Sequence, residues 1–265
     1  MAVTSQNTLV AALDNGHVVP IFKASIASKA AAAFQSLWLA TGQPSLGAAP
    51  ANITGANCTT ATAGAAGIQT PAGANKLYLA RLQMAGTTVG VLTLYDRLWA
   101  NAGMSGTVLT AQAFTPPTLP RYTDGFGVEP WLEVYSIMGS TAANASLTYQ
   151  DASLGAGQTA VCPLPAAAPV AGQMYPFNFP AGGKGVITCS SLILSGTLTT
   201  AGNFGVTLLK RIADIPIILA NSGVSLDSFG LGLPEIKSGA CLAGMVLCST
   251  TSTGIFTGTL VVAEG

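Results

Sequence analysis

The chain has 265 residues, of which ten are Lys or Arg and ten are Asp or Glu, so 8% carry a formal charge and the net charge is zero. A soluble globular domain carries roughly 25%, and charge of both signs ordinarily keeps a domain of this size apart from its copies. The composition therefore argues against a nucleic-acid partner, which needs clustered basic residues for counterion release. It argues against chemistry that needs several titratable groups, and it predicts a surface largely covered by partners, first of all copies of the same chain.

Mean hydropathy is high, +0.52, but no apolar run reaches the roughly 18 residues that a membrane-spanning helix needs. The best stretch, 206–224, is broken by Lys210, Arg211, Asp214, Pro216 and Asn221. Residues 1–20 lack a basic start and contain Asp14, so a secretory leader is not expected. The expectation is a soluble chain made in the cytoplasm, without a membrane partner. Five cysteines at wide spacings and a single histidine do not make a zinc pattern. They read as buried free thiols, with a disulfide between two of them the alternative if assembly occurs or persists outside a reducing cell, and no cofactor is called for.

Taken in order, Ser5–Asp14 predicts a short helix with Leu9, Val10 and Leu13 on one side and Asn15-Gly16 as its stop. Residues 18–22 read as extended. From Ala24 to Ala40, Ile26, Ala30, Ala33, Phe34, Leu37 and Trp38 recur at three- and four-residue intervals, which predicts an amphipathic helix docked by Phe34, Leu37 and Trp38. Residues 42–75 hold six Gly, three Pro and no charge. Such a connector predicts an arm lying along a neighbouring surface.

From Lys76 the period becomes two. Residues 76–84 and 89–95 predict a hairpin. Further strands are predicted at 107–113, 128–137, 145–150, 185–194, 204–211, 215–220, 241–248 and 255–262, separated by Gly-, Asp- and Thr-rich turns. Pro130 and Pro216 belong on edges or bulges. The pattern predicts a mainly β fold, an antiparallel β-sandwich of jelly-roll type over 76–265, preceded by a short helical N-terminal region over 1–75.

Candidate chemistry is sparse. His17 beside Asp14 reads as a local hydrogen-bonding residue. Gly182-Gly183-Lys184-Gly185 lacks the spacing of a phosphate loop, and no Ser lies in a GxSxG elbow. Glu129 and Glu133 would stand about 13 Å apart on one strand face, too far for a glycosidase pair. Arg81, Asp96 and Arg97 read as a salt link. The best recognition candidate is the aromatic segment with Arg121, Tyr122, Phe126 and Trp131, which suits an interface or a host-surface glycan. Three sequons, at Asn52, Asn57 and Asn144, carry no weight without a leader.

Three segments, KLYLARLQMAGTTVGVLTLYDRLWANAGMSGTVLTAQ, LPRYTDGFGVEPWLEVY and SLDSFGLGLPEIKSGACLAGMVL, with the segment around Phe34 to Trp38, resemble virion structural proteins of tailed bacteriophages. The resemblance implies a non-enzymatic, symmetric homo-oligomer in the virion, made in the host cytoplasm. It would be a capsid decoration or head-fibre protein contacting the major capsid protein; a receptor-binding or adhesin module of the tail or neck is the alternative. No catalytic residue comes with it. Phe34, Leu37, Trp38, Arg121, Tyr122, Phe126 and Trp131 are the expected interface residues.

Overall fold

The computed structural model describes residues 5–27 and 29–265. Its elements run α1 (Gln6–Asp14), β1 (His17–Lys23), β2 (Phe34–Ser36), β3 (Gly42–Gln43), β4 (Ala56–Asn57), β5 (Leu77–Gly86), β6 (Gly90–Ala100), β7 (Gln112–Ala113) and β8 (Val128–Ser136). They continue with β9 (Ala143–Asp151), β10 (Gly155–Leu164), β11 (Gln173–Pro176), β12 (Val186–Leu194), β13 (Asn203–Ile217), β14 (Gly223–Leu226), α2 (Ser228–Leu231), β15 (Glu235–Ile236), β16 (Leu242–Cys248) and β17 (Phe256–Glu264). The fold is mainly β, with antiparallel sheets.

The chain divides into two compact units. The first comprises Met1–Gly47, Thr59–Asp96 and Ile212–Gly265, and the second Ala48–Cys58 and Arg97–Arg211. The expected boundary at 75/76 is not where the chain divides. In the first unit a sheet ordered β14-β5-β17-β1-β3 faces a core shared with β6 and β16. Leu77, Leu79, Leu82 and Met84 of β5, and Leu260 and Val262 of β17, meet Leu92, Leu94, Leu242 and Val246 there. In the second unit a sheet ordered β10-β9-β12-β7 and the strands β8 and β13 fill a core from both sides, with Leu147, Cys162 and Leu192 against Leu132, Val134 and Phe204. Alternation in β9, buried at every second residue, is what lets one face enter that core.

The predicted helix at the start is present. Ser5 caps it: its Oγ accepts from Thr8 N at 3.2 Å while Thr8 Oγ1 accepts from Ser5 N at 2.9 Å. Its docked residue is Ala12, against Ala80 and Ala263, while Val10 and Leu13 stay exposed. Small side chains on both sides permit that close approach.

Three expectations are corrected. Residues 24–27 and 29–40 are not helical: Phe34–Ser36 form β2, paired with β16 as Phe34↔Leu247, Gln35↔Val246 and Ser36↔Met245. Gln35 and Ser36 are as buried as Leu37 and Trp38, so burial does not follow a helical stripe, and the alanines that produced the apparent period contribute little area. Residues 76–95 are not a hairpin: β5 pairs with β17, β14 and β15, whereas β6 pairs with β16, so the chain changes sheets at Thr87–Val89. The segment 42–75 is not an outlying arm. Its β3 pairs with β1, Ala66 and Ile68 enter the first core, and Ala72 N, Gln69 Nε2 and Asn75 Nδ2 all donate to the Glu264 carboxylate. Gly47 is required there by close approach, because a Cβ would fall 2.3 Å from the Trp38 ring.

The first core keeps an apolar cavity of about 40 Å³ among Leu37, Leu82, Leu92, Leu242 and Gly244. A Cβ at Gly244 would stand 3.4 Å from Leu37 Cδ1 and 3.5 Å from Leu92 Cδ1, ordinary contact distances. Gly244→Ala should therefore stabilise the protein by about 0.5–1 kcal/mol through partial filling and a less flexible unfolded chain. Denaturant titration checks it; a lowered midpoint would mean that β16 has no room.

Candidate interaction surface

Four of the seven expected interface residues are buried within the chain itself: Leu37, Trp38, Arg121 and Trp131. Leu37 belongs to the first core. Trp38 lies under the connector glycines. Arg121 Nη2 donates to Cys58 O at 3.0 Å and to Arg97 O at 3.3 Å, which ties the segment before the 122–127 turn to β6. Trp131 Nε1 donates to Glu129 Oε2 at 3.1 Å, and Arg211 pairs with the same carboxylate at 3.3 Å. Phe34 and Tyr122 are half-buried, and of the seven only Phe126, 49% exposed, is classed with the exposed residues. The aromatic cluster read from the sequence is therefore not one platform.

What the structure does build there is a rigid turn. Tyr122 (φ 53°), Gly125 (φ 74°) and Gly127 (φ 66°) take left-handed conformations; Gly125 N donates to Tyr122 O and Phe126 N to Asp124 Oδ1. Lys210 Nζ donates to Phe126 O at 2.7 Å and lies 5.5 Å from the Tyr122 ring centre. A Cβ at Gly125 would meet Ile187 N at 2.7 Å, so the turn seats directly on β12. Between this turn and the proline run lies an open apolar groove of about 350 Å³, walled by Pro116, Pro117, Thr123 and Ile187.

The polar clusters are internal. Glu133, fully buried, accepts through Oε2 from Arg97 Nη1 at 2.7 Å, Tyr135 Oη at 2.8 Å and Thr207 Oγ1 at 2.7 Å. Glu129 and Glu133 thus serve different partners. Asp151 accepts from the backbone N–H of Ser153, Leu154, Lys184 and Gly185 and from Tyr149 Oη; the Gly182–Gly185 segment is a turn held by this carboxylate. His17 Nε2 accepts from Gln69 N at 3.4 Å. All five cysteines are buried thiols outside any disulfide, and burial pushes the Cys162 thiol up to about 12. Among the described residues no group of three His, Cys, Asp or Glu is placed to hold a metal, and no helix is long and apolar enough to cross a membrane.

Lys23 lies at the rim of the first core and donates through Nζ to Ala40 O at 3.1 Å, Pro44 O at 2.9 Å and Ser45 O at 3.4 Å. Burial brings its pKa down to about 8. An unfolded lysine keeps its proton to about 10.4, so between these values the unfolded chain binds more protons and stability rises with pH. The gain of the parent over Lys23→Met should grow across pH 8 to 10, by up to about 3 kcal/mol. Paired unfolding titrations at several pH values test it, and a gap that narrows instead would refute the sign.

Seven of the twenty charged residues, Lys23, Asp96, Arg97, Arg121, Glu133, Asp151 and Glu264, are buried. The other thirteen are spread over 10634 Å² of surface, about one per 800 Å², which is roughly the whole footprint of one partner in a standard interface. A signal for other surface residues was present in the sequence: the apolar stretch 215–220 outlasts β13, which ends at Ile217, and Ile218 and Leu219, 79% and 63% exposed, lie beyond its end. No protein-family model, curated protein or solved structure matches this chain.

Proposed function

We propose that this chain is a non-enzymatic structural component of a virion of the tailed-bacteriophage type, a capsid-associated decoration or stabilising protein that assembles as a symmetric oligomer with copies of itself on the major capsid protein. The observation that carries this reading is the surface charge density. A footprint of standard size meets about one charge, so covering it costs little desolvation of ions. Exposed without partners, the same surface lacks the repulsion that keeps copies apart. That the antiparallel sheets of 76–265 form a sandwich of jelly-roll type is part of the same proposal, supported by apolar cores lined from more than one antiparallel sheet. For the glycan-binding alternative, Phe126 is 49% exposed, Tyr122 is half-buried and Trp131 is buried. Light scattering at micromolar concentration should find a trimer or larger species, or precipitation of the isolated chain. A stable, soluble monomer would overturn the reading.

A further inference from the structure

Lys23 carries a charge that no acid in the described residues balances. It is 5% exposed, and its Nζ donates to three backbone carbonyls, Ala40 O at 3.1 Å, Pro44 O at 2.9 Å and Ser45 O at 3.4 Å. Among the described residues no carboxylate lies within ion-pairing distance of it. A lysine that only covers apolar surface sends its amine out to water. This one keeps its ammonium inside on dipoles alone, an expensive arrangement for a buried cation.

The same side chain lines the cavity of the first core, together with Leu37, Pro44, Leu92, Leu242 and Gly244. Apart from Lys23 and the Trp38 indole, the side chains of that lining are apolar. The cavity is therefore a poor site for water, which needs about two to four polar partners. Its volume is about 40 Å³. A water-sized group takes about 10–15 Å³ of such space, so about three fit, the size of a propyl chain.

We propose that this cavity binds a free short-chain carboxylic acid, its alkyl chain among Leu37, Leu92 and Leu242 and its carboxylate on Lys23 Nζ in place of Ser45 O. The Ser45 bond is the longest of the three and the only one not buried, and Ser45 itself is exposed, so the head group reaches Nζ from the surface side. Charge selects the head and size selects the tail. An inorganic anion leaves the apolar walls unfilled, an alcohol leaves the ammonium unbalanced, and an amine adds a like charge. Leu37, Pro44, Leu92 and Leu242 are buried, so the space admits a small molecule and not the backbone of a partner chain. The site belongs to the first unit and is independent of how copies assemble.

Butyrate is the probe, titrated into the full chain to tens of millimolar at neutral pH and constant ionic strength, with saturation-transfer NMR and thermal melts as readouts. A ligand of so few atoms should bind in the millimolar range. Butyrate should raise the melting temperature saturably, whereas butylamine and 1-butanol at the same concentrations should not. Gly244→Ala places a Cβ 3.4 Å from Leu37 Cδ1 in the cavity wall, and it should weaken butyrate by about tenfold or more. Lys23→Met should erase the preference for butyrate over 1-butanol. A parent that responds equally to butyrate and butylamine, or to neither, overturns the site. Butyrate binding unchanged in Gly244→Ala overturns it too, since the acid then sits elsewhere. Gly244→Ala is expected to fold at least as stably as the parent, so the test stands even if Lys23→Met does not fold.

Discussion

Arg97→Met should destabilise the protein by about 3–5 kcal/mol, the magnitude expected when one partner of a buried ion pair is removed and the other is left in place. Glu133 Oε2 is 2.7 Å from Arg97 Nη1, and both side chains are buried, so the remaining carboxylate would have only the Tyr135 and Thr207 hydroxyls to balance it. Removing both charges should cost less than removing one: Arg97→Met combined with Glu133→Leu is expected to lie above Arg97→Met alone in stability, because the uncompensated ion is gone. Chemical denaturation of the four members of the cycle measures this through the midpoint at constant slope. A single substitution costing under about 1 kcal/mol would place the pair in a wetter setting than the structure gives it.

Asp151→Ala should cost about 3 kcal/mol or more. The side chain is buried, and it is the common acceptor for four backbone N–H groups in two turns, 153–154 and 184–185, and for the Tyr149 hydroxyl. Alanine would leave those donors without their common acceptor, two of them, Gly185 N and Tyr149 Oη, in buried hydrogen bonds. Burial alone would raise the Asp151 pKa, but the backbone donors outweigh it and hold the carboxyl below its usual value. In the first unit Glu264 is lowered for a related reason, the Ala72 backbone and Asn75 side-chain donors leading. For a lowered acid the stabilisation is complete above the unfolded value, near 4, and is lost as pH falls through the folded value. Acid unfolding should therefore steepen below about pH 4, and Asp151→Asn should flatten that limb while lowering stability at pH 7. An unchanged acid limb in the Asn variant would separate this carboxylate from acid unfolding.

Much of the strand content was legible from alternation. Residues 128–137, 145–150, 204–211 and 255–262 all lie within or close to strands; one side of 145–150 and 255–262 faces a core and the other does not, whereas 130–134 and 204–209 are buried throughout and show as near-continuous apolar runs. β10 carries no such signal, since GAGQTAVCPL offers few bulky side chains to alternate, and β11 is only four residues long. The interface candidates were read from residue type, and type does not say which aromatic is buried: Trp131 and Phe126 are five positions apart, one 3% and the other 49% exposed. The exposed Ile218 and Leu219 had a signal in an apolar stretch that outlasts β13. The groove had none, because its walls come from the proline run, the 122–127 turn and β12.

What residues 1–265 determined locally was the period of two, the capped helix at Ser5, the turns and, through composition alone, a surface short of charge. Those are properties of single residues and near neighbours, so they survive without knowledge of the fold. Tertiary structure decided the rest. It set which strands pair, with β5 leaving β6 for β17; it turned Phe34–Ser36 into a strand beside β16; it drew the connector into the first core; and it brought Pro116 and Ile187 to one groove. Each of those outcomes depends on contacts between residues far apart in the chain, whose energies come from the faces that meet and are absent from any local pattern.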